Sequence, residues 1–276
     1  MTNWYATRAA LERNLKSGTA DTYTAADEAL MDAALESASR QIDQYCGQWF
    51  YPWTQTRIET AHRSGCLLLE QGLLSLTSLS TDTALDGTFA TVWAATDYQL
   101  GPPNAPLQNP PRPYWRIERR PLGVYGFPCY QSGVQIAGIW GTYDVHATAT
   151  SQLAEALDAS EVGVDVDDGE EFEVGQTILV DSEQMFVRAI ATDTLTVTRA
   201  VNGTTAATHA DNSPIEVYSY PLIGQACLLQ ASRLLNRRMA PFGTVGGGEV
   251  GMMFLRARLD PDVEVLLAPY RQRGIV

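Results

Sequence analysis

No stretch of this 276-residue chain reaches the ~18 consecutive apolar residues that a membrane-spanning helix needs. The opening MTNWYATRAALERN has no apolar core of the kind a secretion signal carries, so the chain is expected to be made and kept in a cytoplasm, or packaged from one. Cysteine is scarce. Cys46, Cys66, Cys129 and Cys227 lie far apart and form no C-x-x-C, which speaks against a metal or redox centre and for buried free thiols. His62, His146 and His209 are scattered. None accompanies a serine-centred elbow or a second histidine at ligand spacing. No catalytic residue, metal ligand or cofactor is therefore assigned, and the chain is read as a non-enzyme. A hydrophobic share of 45% is enough to build a core, and the length suggests about two domains.

Positive charge is missing from one part of the chain in particular. Residues 151–219 hold fourteen acids and two bases, Arg188 and Arg199, within a chain of formal charge −13. Such a step in composition marks a boundary. The expected division is an acidic β domain over 151–219, inserted into a discontinuous core of 1–150 and 220–276.

Apolar spacing predicts where helices form. Leu30, Ala34, Leu35, Ala38, Ile42 and Tyr45 make one stripe, with Thr24 and Asp27 as a capping box and Gly47 as a stop. Ala6–Leu15, a stretch at Leu153–Ala159 and a segment from Leu222 also read as helical. Asp260 as N-cap and Pro261 at N1 open a last short helix, whose Val263, Leu266, Leu267 and Tyr270 share a face. At about three turns it is marginal alone, so its apolar face must dock on its own domain or on a neighbour. Strands are expected at Arg57–Ala61, Cys66–Glu70, Leu73–Leu79, Tyr114–Glu118 and Val134–Trp140. In the acidic part they are expected at Val162–Val166, Thr177–Val180, Gln184–Ala191, Leu195–Arg199 and Ile215–Tyr218.

Three segments carry a family likeness. Ala34–Phe50 reads ALESASRQIDQYCGQWF. Ile223–Arg238 reads IGQACLLQASRLLNRR and continues into MAPFG. Leu259–Gly274 reads LDPDVEVLLAPYRQRG. In this order they resemble the head–tail connector (adaptor) proteins of tailed phages, over residues 6–147 and 220–274. The strand ending Gly138-Ile139-Trp140-Gly141 also fits, but about eighty residues part it from the helix that normally follows, so 151–219 looks like an insertion. The resemblance implies an α+β fold: a helical adaptor core with a β-strand region, plus an inserted all-β sandwich or barrel domain. It implies a virion structural protein at the neck, forming a ring, commonly of twelve copies, with DNA passing through its centre without sequence-specific binding. Implied partners are further copies of itself, the portal protein, a stopper or tail completion protein, and possibly the capsid through 151–219; no membrane is expected. Leu259, Val263, Leu266, Leu267, Tyr270, Arg271 and Arg273 are the expected portal or neighbour interface.

Other patterns read more plainly. Gly246–Gly251 matches G-x-G-x-x-G but lacks the preceding strand of a dinucleotide site, so a hinge is expected. Asp165-Val166-Asp167-Asp168-Gly169 places its glycine one position early for a calcium loop, and a solvated acidic turn is expected. Arg116, Arg119 and Arg120, like Arg233, Arg237 and Arg238, suit salt bridges to partners better than tight DNA binding, given the overall negative charge. Two other classes remain open at this point: a tail-associated module holding a glycan or receptor on the β insertion, and a cell-wall hydrolase.

Overall fold

The computed structural model describes residues 3–15, 23–108, 111–121, 123–237, 244–245, 253–254 and 259–272. They divide into two compact units, Met1–Gly47 with Val145–Gln272, and Gln48–Asp144.

The first unit opens with α1 (Arg8–Leu15) and α2 (Ala25–Cys46). The Thr24 hydroxyl accepts from Asp27 N, and the Asp27 carboxylate accepts from Thr24 N, so two N–H groups without helical partners are satisfied. Gly47 ends α2 in the left-handed region, φ 70°. Met31, Ala34, Leu35, Ala38, Ile42 and Cys46 are buried along one face.

The second unit is a single antiparallel sheet. Its strands are β1 (Trp53–Glu59), β2 (Cys66–Thr81), β3 (Thr91–Val92), β4 (Tyr98–Gly101), β5 (Tyr114–Arg119) and β6 (Val134–Trp140), in spatial order β1-β6-β2-β5-β4, with β3 on β2. Along β6, Val134, Ile136, Gly138 and Trp140 alternate with half-buried residues and face a core that includes Leu67, Leu69, Leu79, Trp93, Ile117 and Phe127. Trp93 stacks on Phe127 with centroids 4.6 Å apart, and its indole N–H donates to Thr81 Oγ1 at 3.1 Å. The leucine run is one strand, not two: β2 carries register shifts near Leu73 and Leu76, and these bulges keep its buried leucines on the core side.

The chain then returns to the first unit. Strands β7 (His146–Gln152), β8 (Gly163–Asp165), β9 (Thr177–Val180), β10 (Glu183–Ala191), β11 (Thr194–Thr198) and β12 (Pro214–Tyr218) run β7-β12-β9-β10-β11-β8. The outer strands meet through a Leu153↔Val166 bridge and the bonds Ala154 N→Asp165 O (2.9 Å) and Asp167 N→Gln152 O (3.1 Å). The sheet thus curls on itself around Leu153, Leu157, Val164, Phe172, Ile178, Met185, Leu195 and Ile215. After it come α3 (Pro221–Arg237), the short pair β13 (Thr244–Val245) and β14 (Met253–Phe254), and α4 (Pro261–Leu267).

Two expectations are corrected. The described residues are mostly β, with two six-stranded antiparallel sheets and four α-helices, so an α+β fold with a helical adaptor core does not describe them. The helices carry 3.6-residue apolar stripes that are easy to see over long windows. Strands such as His146–Gln152 (HATATSQ) hold no large apolar residue at all and leave no such mark. The helix expected at Leu153–Ala159 is also absent. Leu153 and Leu157 have helical spacing, but both lie in irregular chain whose bridges, to Val166 and His209, turn them into the β core.

The N-terminal residues are fastened to this curled sheet. Asn3 and Asn202 exchange side-chain hydrogen bonds, and Asn3 Oδ1 also accepts from Thr177 Oγ1 at 2.9 Å. The Trp4 ring meets Phe186 edge-on at 5.2 Å, while its indole N–H donates to Glu36 on α2 at 2.8 Å. Gly175 has φ +99°, and a Cβ there would collide with the Trp4 ring. Gly175→Ala is therefore expected to lower the unfolding free energy by about 2 kcal/mol, from strain plus a displaced tryptophan. Urea unfolding checks the magnitude, and faster amide exchange at residues 3–15 checks the location.

Candidate functional site

The three family-like segments come together as α2, α3 and α4. Helix α3 buries Ile223, Ala226, Cys227, Gln230 and Ala231, and packs along α2, where Ser39 Oγ lies 3.5 Å from Cys227 Sγ. Small residues at the contact, Ala38 and Ala231, are fully buried and let the two helices approach closely. Burial pushes the Cys227 thiol up to about 11, and burial with the nearby Asp43 carboxylate pushes Cys46 up to about 12. Neither is a nucleophile at neutral pH.

The last helix docks on α3, and the residues after it reach back to α2. Asp260 caps α4 by accepting from Asp262 N at 3.0 Å, and Pro261 fills the first turn. Gln230 then links three elements: its Nε2 donates to Gln41 Oε1 on α2 at 2.7 Å, and its Oε1 accepts from Asp260 N at 3.3 Å. Arg233 Nη1 lies 3.5 Å from Asp260 Oδ2. Beyond α4, Gln272 N donates to Cys46 O at 2.8 Å, and the Arg271 guanidinium sits 5.2 Å from the Tyr45 ring centroid.

The expected interface residues do not share one environment. Val263 and Leu267 are fully buried against the chain's own helices. Leu266 and Tyr270 are half-buried, Leu259 is half-buried at a cleft, and Arg271 is exposed. Arg273 lies outside the described residues, as do Arg238 and Gly246–Gly251. The face of α4 turned to solvent is marked instead by Val265, 74% exposed.

The cleft has a volume of about 510 Å³. Helix α2 supplies Gln41, Gln44 and Tyr45, α3 supplies Arg233 and Arg237, and the last segment supplies Leu259, Glu264 and Arg271. The arginines on α3 stand out in the sequence; Gln41 and Gln44 do not, and Tyr45, expected on the apolar stripe, lies at its edge and lines the cleft.

The other candidates hold local structure together. Asp168 caps a 3-10 turn by accepting from Glu170 N (2.9 Å), and Glu171 accepts from Thr150 N and Ser151 N (3.0 Å each), covering the end of β7. Arg116 pairs with Glu118 at 2.6 Å, and Arg120 donates to Tyr98 O at 3.0 Å. His62 is exposed, His146 lies 3.0 Å from Glu216, and His209 is buried between Asp181 and Glu183.

No protein-family model and no curated protein matches the chain. Among solved structures it is similar to a chain from the neck of an empty GTA particle, computed with C6 symmetry. Identity is 13%, the TM-score is 0.43, and the match covers 100% of this chain and 97% of that one. A TM-score of that size does not establish a common fold.

Asp43 adds a pH dependence to this helical group. Burial raises its carboxyl from 3.8 to about 6, against the lowering effects of Arg40 and of the Tyr5 hydroxyl that donates to it. A folded-state value above the unfolded one stabilises below pH 3.8 and is lost as pH rises through about 6. Asp43→Asn removes that cost. The stability of the variant relative to the parent is expected to rise between pH 4 and pH 7, by up to about 3 kcal/mol. Chemical denaturation at the two pH values reads it directly.

Proposed function

We propose that the chain is a connector subunit in the neck of a tailed phage or phage-like particle. Identical copies form a ring, twelve in the family it resembles, seated between the portal and the stopper or tail, with DNA passing through the centre. It performs no bond-making chemistry; its work is to close the ring and join head to tail. One observation carries this. The helical parts of segments 34–50, 223–238 and 259–272, which resemble the family in sequence, lie up to about two hundred residues apart yet pack together, α3 along α2 and α4 on α3, joined by the Gln41–Gln230–Asp260 bonds. A shared sequence pattern and a shared place in space support a common task for the three.

In closed rings each copy meets the next through two different surfaces. The exposed side of α4, marked by Val265, is proposed to grip the portal or a neighbour. The test is a particle preparation from cells in which the gene is silenced. Filled heads and free tails, unjoined, are the expected result; normally joined particles would refute the role.

A further inference from the structure

The arginine-lined cleft on the helical group points to a partner of opposite charge. Lys16 is the only lysine in the chain, and its other basic residues are arginines, whose planar forks suit carboxylates. Among the described residues no carboxylate lies within ion-pair distance of Arg237 or Arg271. Among the described residues, Glu264 is the one acid on the cleft wall. A concave site with three arginines and three glutamines suits a narrow, acidic loop tip. It suits a DNA backbone less well, because tight binding there needs many phosphates neutralised along an extended basic surface.

The same chain presents such a tip. Asp167, Asp168 and Glu170 are all exposed in the turn after β8, and Asp193 beside them accepts from Gly169 N at 3.0 Å. Gly169 is pressed against the Thr192 carbonyl, so the turn is held in one shape. Asp168 and Asp193 are spent on local caps, while Asp167 and Glu170 accept no hydrogen bond among the described residues. We propose that the cleft lined by Arg233, Arg237 and Arg271 receives the Asp167–Glu170 tip of a second copy of this chain. The contact is heterologous, tip into cleft, and so can repeat around a ring; it builds on the connector proposal in that respect alone.

The experiment is sedimentation of the purified full chain at about 50 mM and about 500 mM salt, where screening differs strongly. Association at low salt that weakens at high salt is expected. The Arg237→Glu/Arg271→Glu and Asp167→Arg/Glu170→Arg variants are each expected to associate about tenfold more weakly. The combined four-site variant, with both charges exchanged, is expected to regain association. A chain that stays monomeric in low salt overturns the proposal. So does association unchanged in the two-site variants, or lost and not regained in the four-site variant. If Arg237→Glu/Arg271→Glu instead loses affinity for duplex DNA with association intact, the cleft belongs to DNA and the proposal fails. A neck ring seen in particles carrying these charge variants would leave the connector role standing while removing the tip-in-cleft contact.

Discussion

Arg199→Met is expected to lower the unfolding free energy by about 3–5 kcal/mol, the range for stripping one partner from a buried ion pair. Arg199 reaches Glu183 twice, at 2.7 Å each, and its other N–H groups donate to the carbonyls of Asp158, Glu161 and Ala207. Glu183 is fully buried and also accepts from Ala200 N and Ala207 N. Burial alone would raise the Glu183 carboxyl; Arg199, with the Ala207, His209 and Ala200 bonds, outweighs it and brings it down to about 2. A folded value below the unfolded 4.5 stabilises above that pH, and the gain is lost as pH falls toward 2. The parent is therefore expected to weaken steeply between pH 4.5 and 2, and Arg199→Met to show a shallower slope. The double change Arg199→Met/Glu183→Gln is expected to recover part of the loss, because no buried charge is left alone. Denaturant titrations across that pH range measure all three.

Val263→Asp is the second large effect. Val263 is fully buried on α4, a helix of seven residues that is too short to persist undocked. An unpaired carboxylate there costs about 3 kcal/mol or more, enough to release α4 from α3. The chain as a whole should stay folded, since the sheets have their own cores. On the proposed connector role, head–tail joining is expected to collapse while circular dichroism changes little. Val265→Asp is the companion: it leaves α4 docked and alters only the exposed side. If that side holds the portal or a neighbour, joining falls there too. Full joining with Val265→Asp and none with Val263→Asp would place the contact elsewhere on the last segment.

Much of the helical group is legible in the sequence because its signals are local. The Thr24–Asp27 box, the Gly47 stop and the Asp260-Pro261 start each involve residues a few positions apart, and each forms as the spacing implies. The buried stripe of α2 follows for the same reason, although Leu30 and Tyr45 at its edges are more open than the inner positions. The sheets are less legible because their pairing is long-range. Nothing near His146 signals that HATATSQ pairs with Pro214–Tyr218, and nothing near Leu153 signals a partner at Val166. The cleft was half legible. Arg233 and Arg237 are conspicuous, but their meeting with Gln41, Tyr45 and Arg271 depends on how α4 returns to α2. The role of Asn3 and Trp4 as a tie to Asn202 and Phe186 could not be read at all, since it spans most of the chain.

The most direct measurement is electron cryo-microscopy of intact particles in which this chain carries a fused density marker at the 246–251 glycine segment. The connector role requires marker density repeated around the axis at the neck, between portal and tail. Marker density on the tail tip or the capsid surface, or particles that lack the chain altogether, would contradict it.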